Sequence, residues 1–370
     1  MTDNKPRVLL LFGGRSSEHS VSCVTAAGVM KAIDKDRFEI VPVGITRQGQ
    51  WTLLEENPQD WALNTGQLPE ITDVSHPVQL SSDPNKTSLL SLSNAGVTDL
   101  GRIDVVFPLL HGPFGEDGSL QGMLEMAGVS YVGSGIAASA IGMDKHFMKV
   151  AFESAGFNVG PYVVITNKQW LRDSDEALAR CEHLEFPLFV KPTRAGSSVG
   201  ITKVEALSEL RAAIEVARAE DPKVIVEQGI VGREIECGVL EGRGALHTRA
   251  SMPGEVAVAD SGHTFYDFEA KYVDGTASQL TCPANLSDDA TAEIRELAVK
   301  AFDALDGEGL SRVDFFYTPD GEWIINEINT MPGFTPSSMY PQMWAKTGIE
   351  YSALIDELIG LALDRKIGLR

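Results

Sequence analysis

The sequence predicts a mixed α/β protein, an open parallel α/β domain followed by two smaller units built on antiparallel sheets. Three observations carry that prediction. The chain opens as β-turn-α, with the apolar run Val8–Phe12, a Gly13-Gly14 turn and a helical stretch from about Ser17 to Ile33. The pattern changes from about Ala137, and beyond Gln228 it reads mainly as antiparallel strands. Finally, Arg312–Tyr317 and Glu322–Asn329 flank the turn sequence Thr318-Pro319-Asp320-Gly321 and read as a β-hairpin. A chain of 370 residues supports two or three domains, drawn here as 1–136, 137–228 and 229–370.

Taken in order, a strand Phe38–Ile45 follows the opening helix. Residues 47–100 are rich in Pro, Asn, Ser, Asp and Gln and read as an irregular surface region with short strands. Asp104–Leu110 is a buried strand ending at His111-Gly112-Pro-Phe-Gly-Glu116-Asp117-Gly118, and loops at such strand ends are the usual place for ligands. The Gly13-Gly14 pair is not a G-x-G-x-x-G fingerprint, so no dinucleotide site is indicated. In the second unit a helix carrying Lys145 leads to the strand Tyr162–Thr166, then a long helix, then the strand Pro187–Lys191. A glycine-rich loop, the strand Ile201–Val204, a helix over about Leu207–Ala219 and the strand Val224–Gln228 complete it. An amphipathic helix over about Tyr351–Arg365 follows the hairpin.

The formal charge of −21 argues against a nucleic-acid or anionic-membrane partner, but a small anion answers to the local field. Cys23, Cys181, Cys237 and Cys282 have no paired spacing and read as free thiols in a reducing compartment. The first apolar run is too short for a signal-peptide core or a membrane span, so a cytoplasmic protein is expected.

Folded about the Pro319–Asp320 midpoint, the hairpin sets Asp314 opposite Ile325 and Arg312 opposite Glu327. Arg312, Asp314, Glu327 and Asn329 then share one face, with Phe316, Trp323 and Ile325 adding apolar surface to it. Val313, Phe315, Tyr317, Ile324 and Ile328 make the other face core-like. Hard oxygen ligands beside a cation suit Mg²⁺ holding phosphates. A solvated polar face is the plainer reading of any hairpin, and the apolar flanks weigh against it here.

Other segments add to this chemistry. Gly196-Ser197-Ser198-Val199-Gly200 follows Lys191 and joins two strands, where glycines let the backbone approach an anion. Alone it is a mobile hairpin tip; Lys191 and Lys145 strengthen the phosphate reading, although each lysine alone is ordinary surface charge. Glu227-Gln228 and Ile230 end a strand that could meet an adenine edge, with Glu234 near ribose hydroxyls; without the other motifs this is a strand with an acidic end. His263–Gly275, with Lys271 and Tyr272, reads as a long loop of the kind that forms lids. Asn329–Tyr340 follows the hairpin, and its Pro and Gly residues expose amides where a carboxylate could sit. Glu18, placed in the first helical turn, could simply complement the helix dipole, and His111 could be a satisfied loop histidine.

Together these segments closely resemble the D-alanine–D-alanine ligases of the ATP-grasp superfamily. The shared stretches are Phe12–Ser22, His111–Gly118, Met143-Asp-Lys145, Val190-Lys-Pro192 with Gly196–Gly200, Glu269–Tyr272, and Arg312 through Thr335. The resemblance spans nearly the whole chain, with 47–100 the least matched, and implies an ATP-grasp fold. It implies that Lys145 and Lys191 contact ATP phosphates under a Ser197–Gly200 flap that includes Ser198 and Val199. It also implies that Glu227, Gln228, Ile230 and Phe316 hold adenine, Glu234 the ribose and Lys271 the γ-phosphate. Asp314, Glu327 and Asn329 would bind two Mg²⁺ or Mn²⁺ ions. Glu18 would fix the first D-alanine's ammonium, with His111 near its carboxylate. Ser197 and Tyr272 would tie the lid to Glu18, and Arg312 with the Gly333 amide would face the oxyanion. Ser338 and Met339 would receive the second substrate's carboxylate. The implied activity is ATP-dependent D-alanyl-D-alanine synthesis through an acyl phosphate, for peptidoglycan, by a homodimer. Lys271-Tyr272 is similar to the dipeptide-forming lid. The alternatives are D-lactate or D-serine as second substrate, or ATP binding without turnover.

Overall fold

The computed structural model describes residues 5–54, 61, 68–196, 198–258 and 278–366. The chain begins β1 (Arg7–Gly13), α1 (His19–Ala32), β2 (Glu39–Ile45) and β3 (Trp51–Leu53), then β4 (Val78–Leu80), β5 (Ser88–Ser93) and β6 (Gly96–Arg102). β7 (Val105–Pro108), α2 (Ser119–Ala127) and β8 (Ser130–Tyr131) follow. Among the described residues, β3-β2-β1-β7-β8 form one sheet, parallel except for β3. Val8 to Phe12 are fully buried, as the unbroken apolar run of a strand covered on both faces requires. β4-β5-β6 pair as a small antiparallel sheet, so part of the stretch read as irregular is regular.

The chain continues with α3 (Ile136–Met143), α4 (Lys145–Ser154), β9 (Tyr162–Ile165), α5 (Asn167–Arg172), α6 (Ser174–Ala179) and β10 (Leu188–Pro192). β11 (Thr202–Val204), α7 (Leu207–Glu220) and β12 (Val224–Gln228) complete an antiparallel sheet of order β11-β10-β12-β9. The long helix expected after β9 is two short ones. Asp173 breaks it: its backbone is extended, and its side chain accepts the Glu176 amide at 2.9 Å to start α6.

The remainder is β13 (Arg233–Leu240), β14 (Arg249–Ala250), β15 (Gly254–Val258), β16 (Ser278–Thr281), α8 (Asp288–Ala304), β17 (Leu310–Tyr317), β18 (Trp323–Asn329), α9 (Met339–Thr347) and α10 (Tyr351–Asp364). Its sheet runs β16-β15-β13-β17-β18, with β14 paired to β13. The expectation of mainly strands here missed α8 and α9. Ser287 caps α8 by accepting the Ala290 amide, and Ala290, Ile294, Ala298, Ala301 and Phe302 bury one helical stripe.

The hairpin β17-β18 forms, in a different register. Tyr317 faces Trp323, Phe316 faces Ile324 and Phe315 faces Ile325; beyond a bulge, Asp314 faces Glu327 and Arg312 faces Asn329. Asn326 is the extra residue, and it corrects two assignments. The turn centres on Asp320 and not between Pro319 and Asp320, which shifts each cross-strand partner by one residue, so Trp323 and Ile325 join Val313, Phe315 and Ile328 in the core. Ile324 instead shares the face of Phe316. The bulge then restores Glu327 and Asn329 to the face of Asp314 and Arg312.

One apolar core joins distant parts of the chain. Val8, Leu10 and Phe12 of β1 pack in the same cluster as Phe334, Tyr340, Trp344, Leu354, Ile355, Leu358 and Ile359. Helix α10 thus covers a face of the first sheet. No helix among the described residues is long and apolar enough to cross a membrane.

Candidate active site

The parallel sheet and the two larger antiparallel sheets meet at a cleft of about 550 Å³. It is lined by Glu18 and His111 from the first sheet's loops, and by Lys145, Lys191, Ser198, Glu227, Gln228 and Ile230 from the second unit. The third unit supplies Glu234, Arg312, Asp314, Phe316, Glu327, Asn329, Gly333, Ser338 and Met339. Val199 does not line it, because its amide turns back to the Gly196 carbonyl at 3.2 Å. Ser197, Lys271 and Tyr272 lie outside the described residues.

The strand alternation of β17 and β18 places Arg312, Asp314, Glu327 and Asn329 together. Arg312 grips Asp314 with two hydrogen bonds of 2.7 Å and reaches Glu236 at 3.2 Å. Burial opposes its charge, but Asp314 and Glu236 hold the guanidinium firmly protonated. Asn329 donates its amide to Asp314 at 3.1 Å, which leaves its carbonyl oxygen for a cation. Two carboxylates and an amide oxygen are hard donors, a set that fits Mg²⁺ or Mn²⁺ completing its shell with water and phosphate.

Opposite this face stand two lysines. Lys145 begins α4, which Asp144 caps while pairing with Lys223 at 2.8 Å. The Lys145 ammonium lies 3.2 Å from Glu327 and donates to the Ala195 carbonyl at 3.4 Å. Its backbone amide holds the Thr193 carbonyl at 3.0 Å, so the glycine loop is anchored to this helix. Lys191 on β10 meets Glu227 at 2.5 Å, and Lys149 meets the other Glu227 oxygen at 3.0 Å. Burial raises the Glu227 carboxyl, but the two ammoniums more than offset it and bring it to about 2. Burial likewise disfavours the Lys191 charge, yet Glu227 raises this lysine overall.

At the far end, Glu18 occupies the N-cap of α1 and not its first turn, and its side chain makes no capping bond. The carboxylate instead sits against Gly112 and Gly196, where an added Cβ would fall 3.0 Å and 2.8 Å from one of its oxygens. His111 is 5% exposed; its Nδ1 bonds the Met331 carbonyl at 3.2 Å, while Nε2 is buried with no hydrogen-bond partner among the described residues. Burial keeps it below the usual imidazole range despite nearby Glu18. With Nδ1–H donating to a carbonyl, the neutral ring offers Nε2 as an acceptor. Glu116 accepts the Gly112 amide at 2.5 Å. Burial and then Glu18 push its carboxyl up to about 8, against the amides of Gly112 and Met331. His111 and Glu116 therefore hold the backbone of Met331, two residues before Gly333. Ser338 caps nothing; its hydroxyl accepts the Thr335 amide at 3.1 Å and fixes the turn between Gly333 and α9.

Sequence reasoning missed Lys149, Glu116 and Glu236. Each had a signal. Lys149 lies four residues after Lys145 on one helix, Glu236 two after Glu234 on one strand, and Glu116 within the His111–Gly118 motif.

The family model described as D-ala D-ala ligase N-terminus matches residues 7–134, and the one described as D-ala D-ala ligase C-terminus matches 151–360. A D-alanine–D-alanine ligase of Arthrobacter sp. (strain FB24) is 60% identical over 367 residues, covering 99% of this chain and 96% of that protein. That of Kocuria rhizophila is 54% identical over 371 residues, with 99% and 96% covered. Among solved structures, the VanG D-Ala:D-Ser ligase from Enterococcus faecalis matches with TM-score 0.83 and 37% identity, over 97% of this chain and 100% of that one. The D-alanine-D-alanine ligase from Coxiella burnetii matches at 0.80 and 32% identity, over 98% and 95%. With both halves matched and identity this high across its length, the chain belongs to the D-alanine–D-alanine ligase family.

Proposed function

We propose that the protein joins two D-alanine molecules to D-alanyl-D-alanine with consumption of ATP, supplying peptidoglycan synthesis. The observation that carries this reading is one cleft with three ends: a carboxylate–arginine face, a lysine pair opposite it, and Glu18 with His111 beside them.

A carboxylate does not accept an amine, because oxide is too poor a leaving group. The first D-alanine's carboxylate oxygen attacks the γ-phosphorus, ADP leaves, and the acyl phosphate now carries a good leaving group. Lys145 and Lys191 offset the phosphate charge that would repel this attack. Glu227, Gln228, Ile230 and Phe316 hold adenine, and Glu234 the ribose. Glu18 holds the first ammonium, with His111 beside that substrate's carboxylate. Asp314, Glu327 and Asn329 hold the metal ions, Mg²⁺ or Mn²⁺, which neutralise developing phosphate charge when bound. The second amino acid's free amine attacks the carbonyl carbon, and phosphate leaves. Arg312 and the Gly333 amide donate to the oxyanion, a contribution of about 3–4 kcal/mol per donor in comparable sites. Ser338 and Met339, at the start of α9, receive the second carboxylate, where helix-end amides favour an anion. Ser197, Ser198 and Val199 close over the phosphates, and Lys271 and Tyr272 shield the acyl phosphate from water.

Residues 1–136, 137–228 and 229–370 act as the three units of this machine. ATP and D-alanine place the reaction in the cytoplasm. The exposed Met123 and Met126 of α2 are apolar side chains that a homodimer would cover. The likeness to a D-Ala:D-Ser ligase makes D-serine the second acceptor worth testing.

The test is phosphate release from ATP with Mg²⁺, with and without D-alanine, alongside dipeptide detection by mass. Phosphate and D-alanyl-D-alanine should rise together, with L-alanine inert. Phosphate release without dipeptide rejects this acceptor, and a D-alanyl-D-serine yield exceeding that of the dipeptide would favour the second reading.

A further inference from the structure

Two of the cleft lysines rest on carboxylates, Lys145 on Glu327 at 3.2 Å and Lys191 on Glu227 at 2.5 Å. To bind phosphate each must give up part of that pairing, and a buried carboxylate deprived of its partner is heavily penalised. For Glu327 the metal ions of the proposed reaction supply the replacement charge. Glu227 is not one of the metal-holding residues of that reaction; it lies on β12 of the other sheet. Its second cation is Lys149, 3.0 Å from the opposite oxygen. The Lys149 side chain is only 4% exposed, and its ammonium lies 5.8 Å from the centre of the Tyr162 ring. Tyr162 pairs with Glu227 across β9 and β12, so the lysine is fixed from the side away from Lys191.

Resting on the nucleotide reading of this cleft, we propose that Lys149 is a positioning residue. It keeps Glu227 charged and in place, so that Lys191 is released to a phosphate oxygen of ATP. An ionised carboxylate has about four acceptor directions, so Glu227 held by Lys149 alone can still accept from the adenine amino group. Helix α4 thereby serves both lysines of the site: Lys145 directly, and Lys191 through its i+4 neighbour.

The test compares the full-length protein with Lys149→Met and Lys149→Arg, reading ATP affinity by calorimetry, and KM for ATP and D-alanine with kcat. Lys149→Met should weaken ATP binding by roughly tenfold or more, because Lys191 stays on Glu227 as its sole counter-charge. The KM for D-alanine should stay within about twofold and kcat at saturating ATP within about threefold, while Lys149→Arg restores ATP affinity. Unchanged ATP affinity in Lys149→Met, or an equal loss for both substrates, would overturn the assignment. Should Lys149→Met not fold, Glu227→Gln and the double variant Glu227→Gln/Lys149→Met decide. Without the carboxylate charge, removing Lys149 should leave ATP affinity unchanged, and a further loss of about tenfold would reject the idea. A wild-type protein that binds ATP but forms no dipeptide would sink the ligase reading alone, since these titrations read nucleotide affinity.

Discussion

Glu116 shows how much a single carboxyl depends on its neighbours. It is pushed up to about 8 by burial and by Glu18, far from the ordinary carboxylate range. Between the unfolded value near 4.5 and about 8, the folded protein holds a proton that the unfolded chain has released. Folding stability contributed at this site therefore falls as pH rises through that window, and falls no further above it. Glu116→Gln should flatten this part of the profile, as read by denaturant unfolding from about pH 5 to pH 9. Parallel curves for the two proteins would contradict the assignment. Residues of this kind are hard to read from a sequence, because a raised carboxyl has no composition signature. Glu18, Arg312, Asp314, Glu327 and Lys191 were legible because their chemistry needs those residue types beside recognisable turns. Lys149 went unread, and only tertiary packing against Glu227 gives it a place in the site.

At the scale of elements, the hairpin β17-β18 places the site, and its alternation was readable while its register was not. Thr318–Gly321 announces a turn, but Asn326 gives no local sign that it is the inserted residue. Its effect is large, since a shift of one position turns a side chain to the opposite face. Deleting Asn326 should leave Glu327 and Asn329 on the face of Asp314, because the strand then alternates regularly from Ile325. Inserting one residue between Asn326 and Glu327 should instead turn both into the core, with ligation falling on the order of 10³-fold and Mn²⁺ binding lost in a direct titration. An insertion variant that still binds Mn²⁺ and turns over would show that this alternation does not set the metal face. Helix α8 was missed for a different reason. Its buried stripe is mostly alanine, which contrasts little with its surroundings, so the Ser287 cap is the stronger signal.

For the whole molecule, the telling contact is α10 against the first sheet. The sequence marks an amphipathic helix over 351–365, but no local pattern tells what its apolar stripe covers. The answer is α1 and the β7-β8 end of the first sheet, in the cluster that also holds Val8, Leu10 and Phe12, more than three hundred residues earlier. Leu354 is fully buried in that cluster, so Leu354→Ala should destabilise the protein by about 2–5 kcal/mol. Because the cluster joins both ends of the chain, circular dichroism and a first-domain probe should melt together and earlier than in the wild type. Two separated transitions, with the first domain unaffected, would reject the shared core.

That same contact sets a schedule for biosynthesis. The β7-β8 end of the first sheet is made early and is one of the last surfaces to be covered, since its lid is the helix at 351–364. At roughly 5–20 residues per second, Val105–Tyr131 waits on the order of tens of seconds for Leu354 to emerge. During that interval part of the nascent sheet's apolar face stays open to the cell, a natural target for a holding chaperone.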